Sequence, residues 1–216
     1  MTRDWWAPLT GAAFLVVGIL AFAIGGEPPD AGNSAEEIVS HYVDNQDSVI
    51  FGAVLATLAS ALLVFFGATL SAALRAADRG PGILSAAVLV GASVMAIGLA
   101  IDSTILFALA ETADDIEPAS VQTLQALYDN DFLPIAMGTL IFLISSGLGV
   151  IRTGVLPKWL GWLAIVLAVI ALTPLGFIAF IGSAIWILIA SIMLTMRARS
   201  TPPTATPPAA TPPATA

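Results

Sequence analysis

The chain has 216 residues, of which 58% are hydrophobic and only 10% are charged, and its formal net charge is −8. Soluble domains carry about 25% charged residues, and the mean hydropathy of +0.95 therefore excludes an ordinary soluble protein. The chain has no cysteine, which excludes disulfides, thiolate catalysis and cysteine metal sites.

Apolar runs of about 20 residues, enough to cross the hydrocarbon core of a bilayer, recur along the sequence. Inside lipid each backbone polar group must be bonded within its own segment, so these runs should be helices. We predict an all-α transmembrane helix bundle over residues 1–199 with six spans. The spans lie at about 7–25, 49–74, 82–110, 132–151, 158–173 and 175–196.

The first span carries three glycines spaced by seven residues, Gly11, Gly18 and Gly25. Small residues on one helix face let a neighbouring helix approach closely, so this stripe predicts a packing surface. An alternative is that the first span is a cleaved signal peptide, because AFA at 21–23 resembles a signal-peptidase site.

The segment NSAEEIVSHYVDNQDS, residues 33–48, predicts a short amphipathic helix on the outer surface. Ser34 and Glu37 have the spacing of a capping box. The apolar face contains Ala35, Ile38, Val39, Tyr42 and Val43. His41, the only histidine, falls on the polar face between Glu37 and Asp44. We expect it to be solvated rather than to bind a metal.

The third span contains a carboxylate, Asp102, one to two turns below its outer end. Carboxylates inside the membrane are costly and usually face the bundle interior or a wet cavity. The stripe that includes Gly91 and Gly98 continues to Asp102, so its side chain should point inward. Asp102, with Ser103 and Thr104 after it, is therefore the candidate intramembrane polar site. The alternative is a structural carboxyl that is hydrogen-bonded to a hydroxyl on another helix.

The second long loop, EPASVQTLQALYDNDF, predicts another short amphipathic helix, with Pro118 near its start. Its apolar stripe is Val121, Leu124, Leu127 and Tyr128. The two loops align loosely at an offset of 86 residues: Tyr42 matches Tyr128, Gly52 matches Gly138 and Ser60 matches Ser146. A duplicated unit of helix, amphipathic segment and helix is one interpretation.

The last three spans are followed by a repetitive tail. Gly138, Ser145 and Gly149 form a small-residue stripe on the fourth span. One helix over 159–196 would measure about 57 Å at 1.5 Å per residue, so a break near Pro174 and Gly176 is predicted. Residues 200–216 repeat a TPPxA pattern, which predicts a disordered cytoplasmic tail.

The charges predict the orientation. With six spans, the seven basic residues all fall on one side, which the positive-inside rule makes cytoplasmic; they are Arg3, Arg75, Arg79, Arg152, Lys158, Arg197 and Arg199. Twelve of the fifteen acidic residues lie in the two long loops of the other side: Glu27, Asp30, Glu36, Glu37, Asp44, Asp47, Glu111, Asp114, Asp115, Glu117, Asp129 and Asp131. Both termini are therefore predicted to be cytoplasmic.

The motifs do not specify a reaction. No span contains the histidine pair that bis-histidine haem binding needs, and no nucleotide fingerprint or basic nucleic-acid patch is present. We expect no cofactor, no metal and no nucleic acid, and the lipid bilayer as the environment, with a membrane-protein partner or a second copy as an open possibility. The first function hypothesis is a non-enzymatic accessory or structural protein. The second is a small proton- or cation-coupled transporter or ligand-binding protein that uses Asp102, and the third is an outer-surface hydrolase that uses carboxylates alone.

Two segments resemble a family of uncharacterised polytopic membrane proteins of high-GC bacteria. The first is residues 41–75, with Tyr42 and Asp44 before a span, Phe65 and Phe66 within it, and Leu74–Arg75 at its end. The second is LPKWLGW at 156–162. The likeness covers about residues 5–196. It implies a six-helix protein of the bacterial plasma (inner) membrane and no particular activity.

Overall fold

The structure, a computed structural model, describes residues 6–173 and 176–200, with only the backbone of Ser200. These residues form eight α-helices and no strand. The helices are α1 (Leu9–Gly25), α2 (Ala35–Asp44), α3 (Gln46–Ala77), α4 (Ile83–Thr112), α5 (Pro118–Tyr128), α6 (Leu133–Thr153), α7 (Lys158–Ala171) and α8 (Gly176–Ser200). Arg3, Trp5, Pro174 and the tail beyond residue 200 lie outside the described residues.

Four segments are long and apolar enough to cross a membrane, which indicates a membrane protein. They are α3, α4, α8 and the segment Pro118–Thr153, which includes α6. The two other apolar helices are shorter, with 17 residues in α1 and 14 residues in α7. All six predicted spans are thus apolar helices, of which four meet the length of a membrane crossing.

The six apolar helices form a closed ring in the order α1, α3, α4, α6, α7, α8, and α8 returns to pack on α1. Large side chains fill the centre of this ring. Phe66, Phe142 and Trp186 are fully buried there, and the rings of Phe142 and Trp186 meet edge to face at 5.8 Å. The indole Nε1 of Trp186 donates a hydrogen bond of 2.8 Å to the Leu160 carbonyl, which joins α8 to α7.

Helices α4 and α6 cross in direct backbone contact. A Cβ atom at Gly91 would lie 2.7 Å from the Cα of Phe142, and one at Gly98 would lie 2.8 Å from the backbone nitrogen of Ile135. A Cβ atom at Gly138 would lie 2.8 Å from the Cβ of Met95. Real Cβ atoms do not approach this closely, so all three positions require glycine for the crossing.

The remaining small residues differ in their surroundings. A Cβ atom at Gly11 would lie 2.6 Å from the Phe66 ring, and one at Gly149 would lie 3.0 Å from Leu74. A Cβ atom at Gly25 would lie 3.5 Å from the Cα of Gly52, and Ser145 is buried. The packing role predicted for Gly18 is not found, because no other heavy atom lies within 4 Å of its Cβ position. At this level α1 borders a cavity instead of a helix.

The two short helices α2 and α5 pack on each other at one end of the ring. The predicted capping box of α2 is formed: the backbone nitrogen of Glu37 donates to Ser34 Oγ at 3.3 Å, and that of Ser34 donates to Glu37 Oε2 at 3.2 Å. Beneath α2 and α5 lies a second hydrophobic cluster, separate from the central core and comprising Ile38, Tyr42, Val49, Leu109, Ala110, Ala113 and Val121. We call α2, α5 and this cluster the outer cap.

Basic side chains gather at the opposite end of the ring. Arg152 at the end of α6 forms a 3.2 Å ion pair with Asp78, which follows α3, and Arg75 donates to the Gly80 carbonyl at 3.0 Å. Arg197 of α8 donates to the carbonyls of Gly154 and Val155. The α3–α4 loop, the α6–α7 loop and the last turn of α8 therefore share one end. Gly154 ends α6 with φ +68°, a left-handed conformation that glycine adopts without strain.

Candidate functional site

A cavity of about 690 Å³ lies beneath the outer cap, on the side of the ring where α1 meets α3 and α8. Its walls are apolar and include Phe14 and Phe22 of α1, Ala56 of α3 and Phe180 and Ile185 of α8. Phe22 and Ile185 are exposed as well as lining the cavity.

The polar side chains of the cavity come from elements at its capped end. Asp102 and Ser103 of α4 line it together with His41 and Tyr42 of α2 and Tyr128 of α5. Asp102 is half-buried and Ser103 is buried, with the Ser103 hydroxyl donating to the Leu99 carbonyl at 2.8 Å. Asp102 therefore faces the interior of the protein.

Thr104 does not belong to this site. Its side chain is exposed, and its hydroxyl donates to the Ala100 carbonyl at 2.7 Å. One residue advances a helix by about 100°, which turns Thr104 well away from the direction of Asp102. The structure thus keeps Asp102 and Ser103 together and separates Thr104 from them.

Asp131, which sequence reasoning did not connect to Asp102, is its partner. The carboxyl groups of the two residues lie close enough to interact electrostatically, and Asp131 comes from the turn between α5 and α6. The Oδ2 atom of Asp131 is buried without a hydrogen-bond partner among the described residues. Asp102 and Asp131 therefore form one coupled carboxyl pair.

His41 occupies a more buried position than its place on the helix surface predicts. It is half-buried and lines the cavity, and its ring meets that of Tyr42 edge to face at 5.3 Å. Its Nε2 atom is buried without a hydrogen-bond partner among the described residues. The expectation of a solvated histidine is therefore wrong, because the edge of α2 that carries His41 lies over the cavity.

A chain of hydrogen bonds holds the outer cap together. The Tyr42 hydroxyl donates to Gln125 Oε1 at 2.6 Å, and Gln125 Nε2 donates to Asp129 Oδ1 at 2.9 Å. Asp129 Oδ2 accepts from the Ala31 backbone nitrogen at 2.9 Å. Burial raises the pKa of Tyr42 well above its ordinary value, so its hydroxyl stays protonated and remains a donor.

We expect Tyr42→Phe to destabilise the outer cap by about 1–3 kcal/mol, because it leaves the fully buried Gln125 carbonyl without its donor. Replacing both partners, as Tyr42→Phe with Gln125→Leu, should recover part of this loss. Hydrogen exchange of α2 and α5 measures both effects. Equal exchange in the parent protein and Tyr42→Phe would show that the bond contributes nothing.

The site shows no arrangement of metal ligands. Within the described ranges, no three side chains of His, Asp or Glu converge closely enough to hold a metal ion. The acidic loop residues 111–117 likewise form no such group there. What the arrangement offers is an apolar cavity lined at one end by the Asp102 carboxyl, two phenols and an imidazole.

Comparison with known proteins identifies a family but no characterised relative. The sequence matches no curated protein and no solved structure. Residues 9–204 match the model of a domain of unknown function, DUF4386, which confirms the resemblance to an uncharacterised family. Because this match extends over most of its length, the chain belongs to the DUF4386 family.

Proposed function

We propose that this protein is a non-enzymatic integral membrane protein that binds an amphiphilic molecule in the cavity between α1, α3, α4 and α8. One observation carries the proposal: a cavity of about 690 Å³ has apolar walls and a polar end at Asp102. Ligand sites typically measure about 300–1,000 Å³ and combine apolar walls with a few convergent polar groups. The cavity matches both properties.

We further propose the six-span topology, with both termini in the cytoplasm, the outer cap outside and the bacterial plasma membrane as the location. The ring supports six crossings, because α1 and α7 pack between longer helices as equal members. The shared end of the Arg75, Arg152 and Arg197 side chains supports the orientation, since cytoplasmic loops are enriched in basic residues.

The proposal contains no catalytic step. Nucleophilic catalysis by serine needs a base within hydrogen-bond reach of the hydroxyl. Ser103 instead donates to the Leu99 carbonyl, and His41 Nε2 has no partner in the described part of the chain. The Ser103 hydroxyl is thus used in a bond within α4.

Cysteine labelling tests access to the cavity, because the parent chain has no cysteine. We expect Asp102→Cys in oriented vesicles to react with a membrane-impermeant thiol reagent added from the side of the outer cap, and dodecanol in the vesicles to slow that reaction. The reagent needs a thiolate, and therefore water, at the site.

Two further positions calibrate this experiment. Asp47→Cys lies at an exposed position in the first turn of α3 and should react fastest, with no effect of dodecanol. Ile97→Cys is 59% exposed on α4, in the apolar span, and should stay unlabelled. If Asp102→Cys is as inert as Ile97→Cys, or if dodecanol changes both reactive positions equally, the proposed cavity site is wrong.

An accessory or structural role is the second candidate function. The close crossing of α4 and α6 at Gly91, Gly98 and Gly138 supports it, because such contacts make a rigid bundle that can support a membrane partner. Under this role Asp102 is a packed polar group, and the labelling experiment should give no reaction at that position.

A further inference from the structure

The outer cap, which covers one end of the cavity, is rich in acidic residues. The two loops that meet in the outer cap contain twelve acidic residues and no Lys or Arg. The basic residues of the described ranges lie instead at the ends of α3 and α6, at the start of α7 and at the end of α8. Such a one-sided charge distribution raises the local concentration of cations at the acidic end.

The charge inside the cavity has the same sign. Asp102 is the acidic side chain among the described residues that line the cavity, and no Lys or Arg of those residues lines it. A buried charge without a partner is costly. A ligand that brings a positive charge to Asp102 would supply the missing partner.

The remaining groups at this end also suit a cation that donates hydrogen bonds. Asp131 lies next to Asp102, behind the residues that line the cavity, and adds a second carboxyl at this end. The aromatic residues Tyr42, Tyr128 and Phe180 also line the cavity. Aromatic faces attract ammonium groups. Charge, acceptors and aromatic lining therefore all favour the same kind of headgroup.

We propose that the occupant of this cavity is a cationic amphiphile, a protonated amine with an apolar chain. Its ammonium group donates to the Asp102 carboxylate, and its chain lies along the apolar walls of α1, α3 and α8. This inference rests on the proposed function, to which it adds the charge of the ligand.

The test compares three probes of equal chain length, dodecylamine, dodecanol and dodecanoate, with the full chain in nanodiscs. Saturable binding is measured above that of empty nanodiscs, which accounts for partition into lipid. We expect dodecylamine to bind at least about tenfold more tightly than dodecanol, because its hydrogen bonds to a carboxylate are charge-assisted. Dodecanoate should bind most weakly.

Three variants identify the groups responsible. Asp102→Asn should lower the affinity for dodecylamine to that for dodecanol, while dodecanol binding is retained and reports that the cavity is folded. Asp131→Asn should also lower the affinity for dodecylamine. It provides the test if Asp102→Asn does not fold. The matched control Asp47→Asn removes an exposed carboxylate of the same outer end and should leave all three affinities unchanged.

The outcomes separate the inference from the proposed function. If dodecylamine and dodecanol bind with equal affinity, or if dodecanoate binds most tightly, the proposal that the cavity binds an amphiphile is retained. The inference that the ligand has a cationic headgroup is then wrong. If none of the three probes binds saturably, the proposed function fails together with the inference. If Asp47→Asn weakens dodecylamine as much as Asp102→Asn does, general surface charge, not the cavity, attracts the amine.

Discussion

Gly138→Leu should prevent the protein from reaching its native packing, or lower its stability by about 3 kcal/mol where it still folds, the upper end of the usual cost of overpacking. The reason is backbone contact: a Cβ atom at Gly138 would lie 2.5 Å from the Cα of Met95. A main chain held in a helix cannot move aside as a flexible side chain can. Thermal unfolding followed by circular dichroism in detergent measures the change.

Gly18→Leu is the matched control, because it adds the same side chain to a glycine with no other heavy atom within 4 Å of its Cβ position. We expect no loss of stability there, and a small gain, because glycine is an unfavourable residue in a helix interior. If both variants unfold at the same temperature, the α4–α6 crossing does not limit stability as the structure indicates.

Val121→Asp should open the outer cap while the helix ring stays folded. Val121 is fully buried in the cap cluster, which is separate from the central core of the ring. An uncompensated buried charge costs about 3 kcal/mol or more, which corresponds to roughly hundredfold faster hydrogen exchange of the segment that opens. The faster exchange should appear in α2 and α5 and not in α6 or α8.

Leu127→Asp provides the comparison on the same helix, since Leu127 is 52% exposed and a carboxylate there keeps its water. Its exchange should match that of the parent protein. Faster exchange throughout the ring in Val121→Asp would contradict the separation of the two cores and would make the cap an integral part of the bundle.

Local features of the fold could be predicted because they depend on neighbours in the sequence. The capping box of Ser34 and Glu37 needs residues three apart, and it is present. The apolar runs give all six ring helices, and the proline at position 118 begins α5. Each of these features is a property of one helix and its immediate flanks.

The site could be predicted only in part, because most of it depends on contacts between distant segments. Asp102 stood out as a charge within an apolar helix, whereas its partner Asp131 is an ordinary loop carboxylate in the sequence. The contact between them exists because α5 folds back over the ring. The cavity was still harder to predict, because its walls come from four separate helices, α1, α3, α4 and α8. It forms only when these helices close the ring.

The spacing of glycines likewise predicted only some of the close contacts between helices. A stripe identifies a smooth face on one helix and not the partner that meets it. Gly52, Gly147 and Gly161, outside the predicted stripes, lie against neighbouring backbones, with the carbonyl oxygen of Gly161 2.7 Å from the Cβ position of Gly147. Gly18, inside a predicted stripe, meets the cavity instead.

The shortness of α7 has a consequence for the surrounding membrane. Fourteen residues extend about 21 Å at 1.5 Å per residue, whereas the hydrocarbon core of a typical bilayer is about 30 Å thick. The exposed Trp159 and Trp162 lie in its first turns, and tryptophan favours the level of the headgroups. A crossing at α7 would therefore be shorter than the hydrocarbon core, a mismatch that thinning of the lipid beside α7 would relieve.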